Sequence, residues 1–140
     1  MRRSIVSLLL AGLLASGLSA SAAADATLVG IWYSPWQPDE PNVMSMIEFK
    51  DDGTFYEEFR KCQDGDLIGY QFEIGTWTLE DGVEHTVTEI INGRPARVED
   101  LYTIELLTDT ERRLRLEPQG FEFDEHRMTN FEFPDCPTGT

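Results

Sequence analysis

Hydrophobic and polar positions alternate with a period of two along nearly all of the chain after residue 25, which is the pattern of half-buried β-strands. Between Ser45 and Phe49, Ser45, Ile47 and Phe49 share one face and Met46 and Glu48 the other. Asp51-Asp52-Gly53 interrupts this run, and Thr54 to Arg60 resumes it with Phe55 and Phe59 opposite Tyr56, Glu58 and Arg60, a hairpin signal. Ile68 to Leu79 sets Tyr70, Phe72 and Ile74 against Gln71, Glu73 and Trp77, and Glu80-Asp81-Gly82 turns the chain again. Val83 to Ile91 sets Val83, His85, Val87, Glu89 and Ile91 against Glu84, Thr86, Thr88 and Ile90. Asn92-Gly93 then supplies two residues that tolerate the positive φ of a type I′ hairpin turn. Strands over Arg97 to Leu107, Arg112 to Glu117 and Phe121 to Met128 follow, separated by Thr108-Asp109-Thr110 and Pro118-Gln119-Gly120. With an opening strand around Leu28 to Ser34, the chain holds about eight short strands joined by tight turns and no long helical stripe. Local connections make sequence neighbours spatial neighbours. The expected fold is all-β, an antiparallel up-and-down meander whose edges are best removed by closing into a barrel, with a β-sandwich as the alternative.

The first two dozen residues depart from this pattern. Arg2 and Arg3 precede an apolar run from Ile5 to Leu18, and Ser19 to Ala24 are all small, ending in Ala22-Ala23-Ala24 before Asp25. Basic start, apolar middle and small-residue end form a secretory signal peptide, an N-terminal signal helix over residues 1–24. The run is short of the roughly 20 apolar residues that span a bilayer. A mature domain over residues 25–140 is therefore expected, exported to a periplasmic or secreted destination, with no membrane span.

Removing Arg2 and Arg3 changes the charge. The chain has 11 Lys+Arg against 26 Asp+Glu; without the leader 9 remain against 26, a formal charge of −17. Phosphate-backbone binding needs the opposite balance, so nucleic acid is excluded as a partner class. A basic protein surface is the partner such a charge suits. The two cysteines, Cys62 and Cys136, pair naturally in an oxidising compartment. Their disulfide would tie the C-terminal tail back to the end of an early strand and stabilise by about 4 kcal/mol.

Gly30-Ile31-Trp32 on the first strand and Arg127 on the last resemble the signature of the lipocalins, in which a Gly-x-Trp packs its indole under the barrel floor and a late Arg covers it. The segments Asp52-Gly53-Thr54-Phe55 and Gly75-Thr76-Trp77 are further similar to small lipocalin-like domains of exported bacterial proteins. The resemblance covers about Leu28 to Met128. It implies a barrel that binds a small hydrophobic or amphipathic molecule without catalysis, with Gly30, Trp32 and Arg127 as structural positions.

Candidate lining or mouth residues are Trp36, Phe55, Phe59, Tyr70, Phe72, Trp77, Tyr102 and Phe123. Trp36 sits in the rigid, proline-bracketed segment Pro35 to Pro41, which is either a lid at one barrel mouth or a long connection. A barrel of this size is alternatively filled by its own side chains, which would leave an acidic protein-interaction module, an inhibitor or envelope assembly factor. Glu122, Asp124 and His126 alternate on one strand face, but their spacing selects no metal site over a solvated acidic face. The sequence contains no Gly-x-Ser-x-Gly, phosphate loop, dinucleotide fingerprint or zinc-protease motif. No enzyme activity, cofactor or metal is expected.

Overall fold

The computed structural model describes residues 28–139; the expected signal peptide over residues 1–24 lies outside them. Eight strands follow one another: β1 (Gly30–Ser34), β2 (Val43–Phe49), β3 (Thr54–Gln63), β4 (Asp66–Glu80), β5 (Val83–Ile91), β6 (Arg94–Leu107), β7 (Glu111–Glu117) and β8 (Phe121–Met128). Each pairs antiparallel with the next, and β1 also pairs with β8, placing Trp32 opposite Arg127. The result is a closed up-and-down barrel rather than a sandwich. The turn Asn92-Gly93 has φ of 50° and 77°, the left-handed geometry that joins β5 to β6.

Alternation along each strand decides what enters the barrel. At one end the inward residues are large and apolar: Trp32, Ile47, Phe49, Phe55, Trp77 and Leu79 pack with Leu28, and Val29, Ile104 and Leu107 lie against them. The buried indoles are satisfied, Trp32 Nε1 donating to the Leu28 carbonyl at 2.8 Å and Trp77 Nε1 to the Lys50 carbonyl at 3.1 Å. The Arg127 guanidinium stacks 4.3 Å from the Trp32 ring and donates to the Val29 carbonyl at 2.7 Å, so the seam between first and last strands is sealed by a cation–π contact. Gly30 makes room for it, since a Cβ there would stand 2.5 Å from an Arg127 terminal nitrogen. This end is a closed floor.

After β8 the chain runs back up the outside. Phe131 and Phe133 pack on Tyr33 of β1 with centroids 5.0 and 6.3 Å away, Arg60 of β3 stacks 4.2 Å over Phe133, and Cys136 is bonded to Cys62 at the end of β3. The disulfide expected from the cysteine count is thus formed. It holds an external strap across β1, β2 and β3. The strap accounts for Met44, which points away from the interior yet is only 5% exposed.

Candidate functional site

Above the aromatic floor the inward positions change character. A cavity of about 160 Å³ is bounded by Glu57 of β3, Glu73 of β4, Glu84, Thr86 and Thr88 of β5, Asp100 and Tyr102 of β6, Arg112 and Leu114 of β7, and Phe123 and Glu125 of β8, with Ser45, Ile47 and Phe59 completing the wall and Gln37 above. Five carboxylates therefore face one guanidinium in the barrel interior.

Arg112 organises the lower part. It is 2% exposed, its Nε donates to Glu125 at 2.5 Å, and a terminal nitrogen donates to Glu84 at 2.6 Å. Its guanidinium also lies 4.9 Å from the Phe49 ring and 5.3 Å from the Trp32 ring, so it rests on the floor and presents its charge to the acids. Burial opposes that charge, but Glu125, Glu84 and Glu57 together hold the guanidinium above its ordinary pKa. Glu73 accepts from Gln71 at 2.8 Å and from Thr88 at 3.0 Å. Gln37 donates to Ser45 at 3.0 Å and ties the β1–β2 loop over the cavity.

The remaining polar groups are less provided for. Glu57 receives no hydrogen bond from another described residue. Desolvation, reinforced by the nearby Glu73 and Glu125 charges, pushes its pKa well above the usual carboxylate range. Desolvation likewise raises Glu84, against the pull of Arg112, and Asp100. Tyr102 is raised by desolvation and then by Glu57 and Asp100. The interior thus holds more acid than it neutralises.

A second hollow of about 360 Å³ lies at the open end, bordered by Gln37, Asp39, Glu40, Val43, Phe59, Lys61, Gly69, Tyr70 and Gln71. It shares Gln37 and Phe59 with the interior cavity, so the two adjoin.

The aromatic residues singled out from the sequence divide among five places. Phe59, Tyr102 and Phe123 border the interior cavity. Phe55 and Trp77 belong to the floor. Tyr70 borders the mouth hollow, whereas Phe72 stands outside the barrel, stacked on Tyr56 at 6.3 Å, and lines neither hollow. The reason is the phase of β4, whose inward positions carry Gln71 and Glu73 opposite Phe59 and Glu57. Trp36 is 44% exposed on the loop between β1 and β2. Outside, Asp124 pairs with Arg113 at 2.8 Å and His126 lies 3.7 Å from Glu111. Among the described residues no three His, Cys, Asp or Glu side chains are placed to hold a metal ion.

The polar wall was absent from the sequence expectation, although its signal was present. Glu57 falls midway between Phe55 and Phe59 and Glu125 two residues after Phe123, each in phase with candidate lining residues, and Arg112 alternates with Leu114.

A barrel floored by aromatic side chains and open at its other end onto a cavity has the architecture of a binding protein. The lipocalin-like domain family matches residues 20–113, from before β1 into β7, and the chain belongs to that family. No curated protein matches the chain.

Proposed function

We propose that this chain is an exported, non-catalytic binding protein that takes a small amphipathic molecule through the open end of its barrel. The observation that carries the reading is the adjoining pair of hollows, about 160 Å³ inside and 360 Å³ at the mouth. The inner one is below the roughly 300–1,000 Å³ usual for ligand pockets, and the two together fall within it. An amphipathic occupant suits them, with a polar end among the inner carboxylates and an apolar end beside Val43, Phe59 and Tyr70. Export belongs to the same reading, and a Cys62–Cys136 disulfide is compatible with an oxidising compartment.

The test is titration of the folded domain with the uncharged naphthalene probe prodan. A saturable, one-to-one blue shift is expected, and it should vanish in Thr88→Phe, where a ring replaces a hydroxyl on the cavity wall. A signal that grows without saturation, or that survives the substitution unchanged, refutes binding in the barrel.

A further inference from the structure

We propose that the inner end of the ligand is an organic cation, an ammonium or amidinium group, held by Glu57 beneath the mouth of the barrel. This deepens the binding reading above and rests on it.

The geometry argues for a cation in three steps. First, Arg112 is committed to Glu84 and Glu125, so the charge those two carboxylates carry is opposed by only one guanidinium. Glu57, Glu73 and Asp100 on the same cavity have no cation of their own among the described residues. Secondly, polar groups that a protein interior ordinarily satisfies are left without a protein partner on this wall. Thr86 is 5% exposed, borders the cavity, and its hydroxyl makes no hydrogen bond with another described residue; the half-buried Glu57 carboxyl and Tyr102 hydroxyl border the same cavity and likewise make none. Buried polar groups in native proteins are nearly always paired, and an ammonium with three donors would serve Glu57, Thr86 and Tyr102 together. Thirdly, the carboxylates are spread around the cavity rather than converging as a metal site would require. Ile47, Phe59, Leu114 and Phe123 fill the gaps between them with apolar surface. A diffuse negative field with hydrocarbon between its charges fits a bulky organic cation better than a compact metal ion.

Glu57 also makes binding depend on pH. The groups facing it are Glu73 from β4, Glu84 from β5, Asp100 and Tyr102 from β6, Arg112 from β7 and Glu125 from β8. Without a cation the carboxyl is held toward its protonated form; pairing with an ammonium favours the ionised form, so a proton leaves Glu57 as the cation enters. Affinity for an amine therefore rises with pH above the ordinary carboxylate range, while affinity for a neutral analogue does not.

Calorimetric titration of the intact folded domain with benzylamine and hexylamine, set against benzyl alcohol and hexanol, tests this. The amines should bind about tenfold or more tightly than the alcohols, the difference made by one charge-assisted hydrogen bond. Glu57→Gln keeps the shape, removes the charge, and should abolish that preference together with its pH dependence. Alcohols bound as tightly as amines, or an amine preference untouched by Glu57→Gln, overturn the cation inference and leave the binding reading standing. Tight binding of calcium or zinc by the same domain, lost in Glu57→Gln, overturns it in favour of a metal ion. Failure of every compound, together with failure of prodan, defeats both readings.

Discussion

Arg112 is the residue on which the interior depends. Ion pairs taken out of water cost nearly as much in desolvation as they return in attraction, so removing one partner is worse than never having had the pair. Arg112→Met leaves Glu84, 1% exposed, and Glu125, 6% exposed, without their cation. It should lower the unfolding free energy by about 3–5 kcal/mol, read from the denaturant midpoint. Adding Glu84→Gln and Glu125→Gln should restore most of that loss, because the charges themselves are then gone. The sequence carried these residues in plain view but not their role. Period-two alternation says which residues share a face, not which face is inside. Where apolar residues dominate one face, as with Ser45, Ile47 and Phe49, the choice is easy; β5 misleads, because Val83, His85 and Val87 face out while Glu84, Thr86 and Thr88 face in. Hydrophobicity alone assigns that strand the opposite way, and only its neighbours correct it: Glu84 pairs across to Tyr102, and Thr86 to Asp100.

At the level of strands and their connections much more was legible, because turns announce themselves locally. Asp51-Asp52-Gly53, Asp81-Gly82, Asn92-Gly93 and Pro118-Gln119-Gly120 all separate strands where their composition says they should. The extension of β3 to Gln63 and of β4 back to Asp66 was harder to read. Lys61, Gln63, Asp64 and Asp66 are polar on both faces, and the strands here rise beyond the packed core, where no apolar alternation is needed. The strap after β8 alternates only over Phe131-Glu132-Phe133, too short a run to read as an element, and Cys136 marked where it ends. Its value can be measured. Cys62→Ser with Cys136→Ser should lower stability by about 4 kcal/mol in the chain-entropy account of a loop this long, while the far-ultraviolet circular dichroism keeps its β form, since hydrogen bonds between β1 and β8 close the barrel independently of the bond. A double variant as stable as the parent would mean that the strap is held by its noncovalent contacts, Phe131 and Phe133 on Tyr33 and Arg60 on Phe133.

For the molecule as a whole, acid is arranged on both sides of the barrel wall. The formal charge of the chain is −15, and the exposed pairs Arg97–Glu99, Arg113–Asp124 and Arg115–Glu117 relieve little of it, since surface ion pairs contribute weakly in water. Inside, Glu57, Glu84 and Asp100 have raised pKa values, so between their ordinary carboxylate range and their raised one the folded chain binds more protons than the unfolded. Stability should therefore climb as pH falls through their raised range toward the ordinary carboxylate range, and self-repulsion eases in the same direction. The lowered pKa values of Asp52 and Glu117 reverse the trend only below the ordinary carboxylate range, when those groups are protonated in turn. Melting temperatures across that interval check the sign, and a maximum at neutral pH would contradict it. The disulfide has a mechanical meaning as well. It closes a covalent ring from Cys62 to Cys136 that contains β4 through β8 and the strap. Tension applied to the two ends of the chain passes straight across that bond. Only β1, β2 and β3 lie on the path that can lengthen, and the five strands within the ring bear no load until the bond is cut.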